Sequence, residues 1–327
     1  MTTRLLVTGG AGFIGSHYVR TLLGPDGPAD VRVTVLDALT YAGNPENLAG
    51  LRDHPRYTFV QGDICDAATV AALTREHDQV VHFAAESHVD RSIDGGAAFV
   101  RTNVLGTQTL IEAAHQHGVE TFVHVSTDEV YGSIAHGSWP ETHPLKPSSP
   151  YSASKAGGDL VALSYHHTHG LDVRVTRGSN TYGPYHFPEK LIPLFITRLL
   201  DGETVPLYGD GGNVRDWLHV DDHVQGIEAA RTRGRAGEIY HIGGGTELSN
   251  RELTGLLLTA CDADWDRVRH VPDRKGHDRR YSLDCSKARR ELGYTPRVDF
   301  RAGLADTVRW YRDNRPWWEA LRARAMV

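Results

Sequence analysis

The sequence predicts an α/β fold: a doubly wound parallel sheet with a smaller, interleaved C-terminal region. Three observations predict it. Short β-branched apolar runs alternate with helix-length segments through the first half, a glycine-rich string follows the first run, and the regularity fails after Arg177. The strands expected in order are Arg4–Thr8, Val31–Leu36, Tyr57–Gln61, Val80–Phe83, Thr121–Ser126 and Asp172–Arg177, mostly separated by enough chain for a crossover helix. Gly/Pro-rich pieces then appear at Gly183-Pro184, Gly209 to Gly212 and Gly243 to Gly245, and a late strand, Glu238–Ile242, is expected to return to the sheet. This divides the chain into residues 1–178 plus about 216–244, and a second region of about 179–215 and 245–327. Ser133–Pro150 holds four prolines and is long for a loop, which suggests a wall or lid.

Composition narrows the function. Thirty-five Lys+Arg against 41 Asp+Glu give 327 residues a net charge of −6, which argues against nucleic acid or an anionic membrane as the main partner. Any anionic ligand must then meet a local basic patch. Cys65, Cys261 and Cys285 are odd in number, far apart and in no CxxC pattern, so reduced thiols are expected rather than a disulfide frame or zinc site. No stretch approaches the roughly 20 apolar residues of a membrane span, and the N-terminus lacks a signal peptide's pattern. A soluble, cytoplasmic protein without a metal centre is expected.

The first motif is TGGAGFIGSH, Thr8 to His17, with Gly9, Gly12 and Gly15 between the first strand and a helix. Glycines there let backbone N–H groups and the helix N-terminus approach a pyrophosphate. Asp37 ends the second strand 22 residues beyond Gly15. A carboxylate at that point accepts hydrogen bonds from ribose hydroxyls and repels a 2′-phosphate, favouring NAD over NADP. Asp63 in QGDI follows the third strand and is placed to reach adenine. The first region is therefore expected to be a Rossmann-type NAD-binding domain.

The second motif is Tyr151-Ser-Ala-Ser-Lys155, whose ends share one helix face. Bringing a phenol from a pKa near 10 to near 7 takes on the order of 4 kcal/mol, expected from the ammonium and a cationic nicotinamide. Such a pair can remove an alcohol proton while hydride leaves the same carbon. With these two motifs the chain resembles the extended short-chain dehydrogenase/reductase family over nearly its whole length.

The third motif, Val125 to Gly132 (VSTDEVYG), places two adjacent carboxylates at a strand end. That suits an elimination, with one acid for a leaving hydroxyl and one base for a carbon-bound proton. The string resembles the dTDP-glucose 4,6-dehydratases, as do Ala84–Ile93 (AAESHVDRSI) and Tyr182–Leu194 (YGPYHFPEKLIPL). GDP-mannose dehydratases typically carry Ser at the position of Asp128. The resemblance implies that Thr127 binds the sugar 4-hydroxyl and Tyr151 takes its proton, with Lys155 supporting. Glu129 then removes the carbon-5 proton while Asp128 protonates the carbon-6 hydroxyl. It implies NAD contacts from Phe13, Ile14, Leu39, Thr40, Ile64, Ala84, Ala85, Ser87, Thr102 and Thr181 beside the residues above. For a dTDP-sugar it implies Ser87, Asn180, Lys190, Leu191, Pro206, Leu207, Tyr208, Arg215, Asn250, Arg274 and His277. Residues 266–280 carry six Lys/Arg against three Asp, and guanidinium forks suit a diphosphate. Thr181, Gly178 and Lys275 stand where the family more often has Asn, Cys and Pro. The same reaction on UDP-glucose, a 4-epimerase and a non-catalytic NAD-sensing module are the alternatives.

Two other features read as structural. His166, His167 and His169 have no acidic partner in register and read as a helix tail; Trp310, Tyr311, Trp317 and Trp318 read as core closure. The resemblance also implies a homodimer packed through helices around Ala98–Gly118 and Tyr151–Gly170.

Overall fold

A computed structural model describes residues 2–325. The first region runs β1 (Thr3–Thr8), α1 (Phe13–Leu23), β2 (Val31–Asp37), β3 (Tyr57–Gln61), α2 (Ala67–Thr74) and β4 (Gln79–His82). It continues with α3 (Val89–Asp94), α4 (Gly96–Val100), α5 (Thr107–Gln116), β5 (Thr121–Thr127), α6 (Pro150–His169) and β6 (Val173–Gly178). Each expected strand is present, with ends shifted by one residue or not at all. The second region holds β7 (Asn180–Tyr182), α7 (Leu191–Leu200), β8 (Val205–Tyr208) and β9 (Val214–His219). The chain then re-enters the first region through α8 (Val220–Arg233) and β10 (Ile239–Ile242). It ends with β11 (Glu247–Ser249), α9 (Asn250–Ala260), β12 (Val268–Val271), α10 (Ser286–Leu292), α11 (Phe300–Asp313) and α12 (Arg315–Ala325).

The large sheet has the order β10-β6-β5-β4-β1-β2-β3, with all its pairings parallel. Its strands are apolar on both faces because helices cover both. Leu5, Val7, Val33, Val35 and Val123 pack with Tyr18 and Leu22 of α1 and Val224 and Ile227 of α8. Leu6, Leu36, Val80 and Phe122 point the other way, onto Val70, Leu110 and Ala162. The late strand joins the sheet beside β6, as its β-branched ends suggest.

In the second region β9 lies between β7 and β11, and β8 pairs with β12. The expected return to the first region at about 216 therefore falls inside β9, whose partners are in the small sheet; the change of layer comes at Val220. Tyr311 and Trp318 are fully buried with Phe195 and Leu257. Trp317 is partly buried, and its indole N–H donates to Asn47 Oδ1 at 3.0 Å, tying the C-terminal helices to the first region. Ser133–Pro150 is pinned rather than free: the Ile134 and Trp139 N–H groups donate to the Arg280 and Ser282 carbonyls, both at 3.0 Å, and Trp139 stacks on Tyr131. His166, His167 and His169 lie in the last turn of α6, and no group of side chains among the described residues could hold a metal ion. Nor is any described helix long and apolar enough to cross a membrane.

Candidate active site

A cavity of about 480 Å³ opens over the C-terminal edge of the large sheet, at the mouths of β1, β2, β4, β5 and β6. This is where a doubly wound sheet places its ligands, because the strand order reverses there and the loops part. At one end, β1 turns into α1 through glycines that admit no side chain. A Cβ on Gly9 would stand 2.5 Å from the Ala84 nitrogen, and one on Gly15 would stand 2.3 Å from the Gly9 carbonyl oxygen. Gly12 precedes helix α1 and offers no side-chain cap, so the first-turn N–H groups face the cavity unclaimed. Asp37 at the end of β2 is fixed by the Ala11 and Leu39 N–H groups at 2.9 and 2.8 Å. Burial raises its carboxyl, and the two backbone hydrogen bonds oppose that rise. These residues fit an adenine dinucleotide: a bare backbone cradle for the pyrophosphate and, at the next strand, an anchored carboxylate for the ribose.

At the other end stand the catalytic candidates. Helix α6 is started by a reciprocal Ser149–Ser152 capping box with Pro150 in the first turn. It is stopped by Gly170 in the left-handed conformation. Those signals put Tyr151 and Lys155 on the first two turns, both buried and both lining the cavity. Opposite them β5 ends in Thr127, whose hydroxyl accepts from the Glu129 N–H at 3.3 Å and donates to Asp128 Oδ1 at 3.2 Å. That turn projects Asp128 and Glu129 into the same space.

The electrostatics separate the two acids. Burial, then the neighbouring Glu129, holds the Asp128 carboxyl well above the usual carboxylate range, and Arg215 opposes only in part. Glu129 is also raised, chiefly by burial, with Arg274, Lys190 and Arg215 opposing the rise without cancelling it. Burial and the Glu129 and Asp128 charges push Tyr151 well above 10, against a hydrogen bond to Thr127. The Lys155 ammonium donates to the Val125 carbonyl at 2.8 Å and is not the phenol's partner in the protein alone. Burial brings that ammonium down to about 8, with Asp159 one turn on acting to raise it. Asp159 itself is fully buried and bonds Arg177 at 2.9 Å.

Of the expected cofactor residues, all but Leu39 line the cavity; Leu39 packs beside Asp37 against the apolar core. Of the expected substrate residues, Ser87, Thr127, Asp128, Glu129, Asn180 and Lys190 line it. Leu191, Pro206, Leu207, Tyr208, Arg215, Asn250, Arg274 and His277 stand outside its walls, in the second region. Several of these carry buried polar atoms without a partner among the described residues: Asn180 Oδ1, Asn250 Oδ1 and Arg274 Nε. Sequence reasoning missed Glu86, His186, Glu189 and His223, which also line the cavity. His186 and Glu189 lie within YGPYHFPEKLIPL, and His186 stacks flat on Phe13 at 4.1 Å. Glu189 pairs with Arg91 at 3.1 Å across the mouth.

A dinucleotide cradle facing a Tyr–Lys pair, a buried acid and a partly buried one defines an NAD-dependent enzyme. The chain belongs to the GDP-mannose 4,6 dehydratase family, whose model matches residues 6–307. Within it, the chain is 69% identical over 321 residues to a dTDP-glucose 4,6-dehydratase of Streptomyces griseus, covering 98% of both. It superposes with a TM-score of 0.95 on the dTDP-glucose 4,6-dehydratase of Streptomyces venezuelae, solved with NAD and dTDP bound. That chain is 66% identical, with 98% of this chain and all of the other covered. A UDP-glucose 4-epimerase of Thermotoga maritima, 34% identical, matches at 0.87 over 95% of this chain and 99% of its own. The fold is thus common to both reactions, and the residues over the sheet edge must choose between them.

Proposed function

We propose that this chain converts dTDP-glucose to dTDP-4-keto-6-deoxyglucose and water by oxidation at carbon 4, elimination across carbons 5 and 6, and hydride return to carbon 6. The observation that carries the reading is the Asp128–Glu129 pair, which an epimerase acting at one carbon has no use for. The larger rise at Asp128, and the cations gathered on Glu129, support Asp128 as the proton donor and Glu129 as the base. Thr127 orients the 4-hydroxyl and Tyr151 accepts its proton. The ketone so formed acidifies carbon 5, whose proton passes to Glu129. Asp128 delivers a proton to the carbon-6 hydroxyl, water leaves, and Glu129 returns a proton to carbon 5 when carbon 6 is reduced. Lys155, anchored on Val125, holds the nicotinamide ribose against the sugar. When bound, NAD supplies the hydride acceptor at carbon 4, the hydride donor at carbon 6 and a positive ring charge beside the phenol.

The cofactor's pyrophosphate falls to Gly9, Gly12, Phe13, Ile14 and Gly15, its ribose to Asp37, Leu39 and Thr40, and its adenine to Asp63 and Ile64. Ala84, Ala85, Ser87, Thr102 and Thr181 complete that side. Residues 1–178 with the returning α8 and β10 make up the NAD-binding domain, and the remainder binds the dTDP-sugar. Ser87, Asn180 and Lys190 meet the sugar diphosphate. Leu191, Pro206 to Tyr208, Arg215, Asn250, Arg274 and His277 take the nucleotide, a reading supported by the unpartnered Asn250 Oδ1 and Arg274 Nε. Free cysteines support a cytoplasmic location. Val100, Leu105 and Leu160, all more than half exposed, support a homodimer through α4 to α6; Leu160→Arg should then yield monomers in sedimentation.

Substrate deuterated at carbon 4 tests the reaction. The product should carry the label in its carbon-6 methyl group, and solvent deuterium should enter at carbon 5. Label returned to carbon 4, with carbon 6 still hydroxylated, would mean an epimerase. Turnover of UDP-glucose equal to or above that of dTDP-glucose would remove the substrate assignment.

A further inference from the structure

His223 lies in the first turns of α8, is 2% exposed, and lines the cavity at the Tyr151 end. Its Nδ1 stands 2.7 Å from Thr181 Oγ1, and that hydroxyl stands 3.1 Å from the Ser179 carbonyl oxygen. The threonine has a single proton, and a carbonyl can only accept. All three groups are satisfied when Thr181 donates to Ser179 and accepts from His223, which puts the imidazole proton on Nδ1. Burial drives the imidazole down to about 4, so the ring is neutral at physiological pH. Nε2 is then a bare lone pair with no partner among the described residues, and a buried acceptor of this kind calls for a donor.

Where that nitrogen sits identifies the donor. A Cβ on Gly178 would lie 2.5 Å from Nε2, so the absence of a side chain at 178 is what lets the ring stand there. Gly178 pairs in register with Thr127. The nitrogen is therefore at the catalytic end of the cleft, four strands along the sheet from Asp37. The part of a dinucleotide that reaches this end is the nicotinamide, and its carboxamide carries the N–H donors. We propose that His223 accepts a hydrogen bond from the nicotinamide carboxamide, and that Thr181 is a positioning residue that sets the imidazole tautomer while Gly178 leaves it room. This rests on reading the cleft as an NAD site.

The test uses NAD and its 3-acetylpyridine analogue, in which a methyl group replaces the amide nitrogen. Purified enzyme is equilibrated with mixtures of the two, and the bound dinucleotides are released and quantified by chromatography. The wild-type protein should favour NAD by roughly 3- to 10-fold, the worth of one neutral hydrogen bond. His223→Phe should bring the ratio near one. Thr181→Val, which keeps the side chain's shape, should reduce it and provides the test if the phenylalanine variant does not fold. Equal binding of the two dinucleotides by the wild type, or an unchanged preference in His223→Phe, would overturn the assignment while leaving the NAD site standing. Failure of the wild type to bind either dinucleotide would overturn both.

Discussion

The two ends of the cleft are built on different principles. On the large-sheet side the chemistry we propose falls to strand ends and helix starts in fixed register: Gly9 after β1, Asp37 ending β2, Thr127 ending β5, Tyr151 opening α6. Their positions follow from packing, because the ends of the strands beneath them are buried between helices on both faces. On the small-region side the polar groups come from segments far apart in sequence. Arg215 on β9, Lys190 before α7 and Arg274 in the loop after β12 bear together on Glu129. The Lys190 ammonium donates to the Ser87 carbonyl, and the Arg215 guanidinium donates to the Asp278 carbonyl at 3.0 Å. The contrast teaches a division of labour: register fixes the reacting atoms, and a convergence of cations sets the charge around them.

If that division holds, damage on the sheet side should strike the chemical steps and damage on the other side should strike binding. Tyr151→Phe should lower turnover on the order of 10⁴-fold with the dinucleotide still bound, as read by steady-state assay and dinucleotide release. A near wild-type rate would show another base at the 4-hydroxyl. Asp128→Asn and Glu129→Gln should each slow water loss by about 10²–10⁴-fold. Oxidation at carbon 4, followed by the near-ultraviolet absorbance of the reduced cofactor, should continue; its loss in both variants would tie the acids to the first step as well.

Beneath the site, Asp159→Asn tests the packing that holds Lys155. Burial pushes the Asp159 carboxyl up, but Arg177 and the His124 imidazole outweigh it and hold it at about 2. The pair's stabilisation is therefore present above the ordinary carboxyl range and lost as pH falls toward 2. Leaving the Arg177 charge buried without its counterion should cost about 3–5 kcal/mol in urea unfolding at neutral pH. A loss below 1 kcal/mol would show that the site does not depend on that pair.

Arg274→Ala sharpens the comparison from the other side. It should raise KM for the sugar nucleotide by about 10- to 100-fold, the worth of a charged hydrogen bond or two, with kcat and dinucleotide retention little changed. A fall in kcat alone would mean that Arg274 acts on Glu129 during the reaction rather than on the bound nucleotide. The smallest effect concerns pH. Because the Lys155 ammonium is brought down to about 8, its charge is lost as pH rises through that value, and kcat/KM should decline there rather than near 10.

Much of the sheet-side machinery was legible in the sequence for a physical reason. A parallel sheet needs β-branched runs, a pyrophosphate cradle needs glycines, and an i,i+4 pair on a capped helix must share a face; each requirement is local and leaves a local mark. That the Leu39 side chain turns to the core left no local mark, because a position beside Asp37 does not reveal which way a side chain points. The height of the phenol in the protein alone was not legible, because it is set first by burial and then by Glu129 and Asp128, 22 and 23 residues away in sequence, which no spacing reports.

By itself the sequence determined the strand order's raw material, the dinucleotide cradle, and the five groups Thr127, Asp128, Glu129, Tyr151 and Lys155. All of these are signalled within a few residues of themselves. Only the tertiary structure decided that β9 belongs to the small sheet and that Asp128 is held well above its ordinary range while cations from three separate segments restrain the rise at Glu129. It also decided that one of nineteen histidines, His223, stands over a glycine beside the reacting end of the cleft. Those properties depend on what lies across space from a side chain, and burial and long-range charge are summed only once the chain has folded.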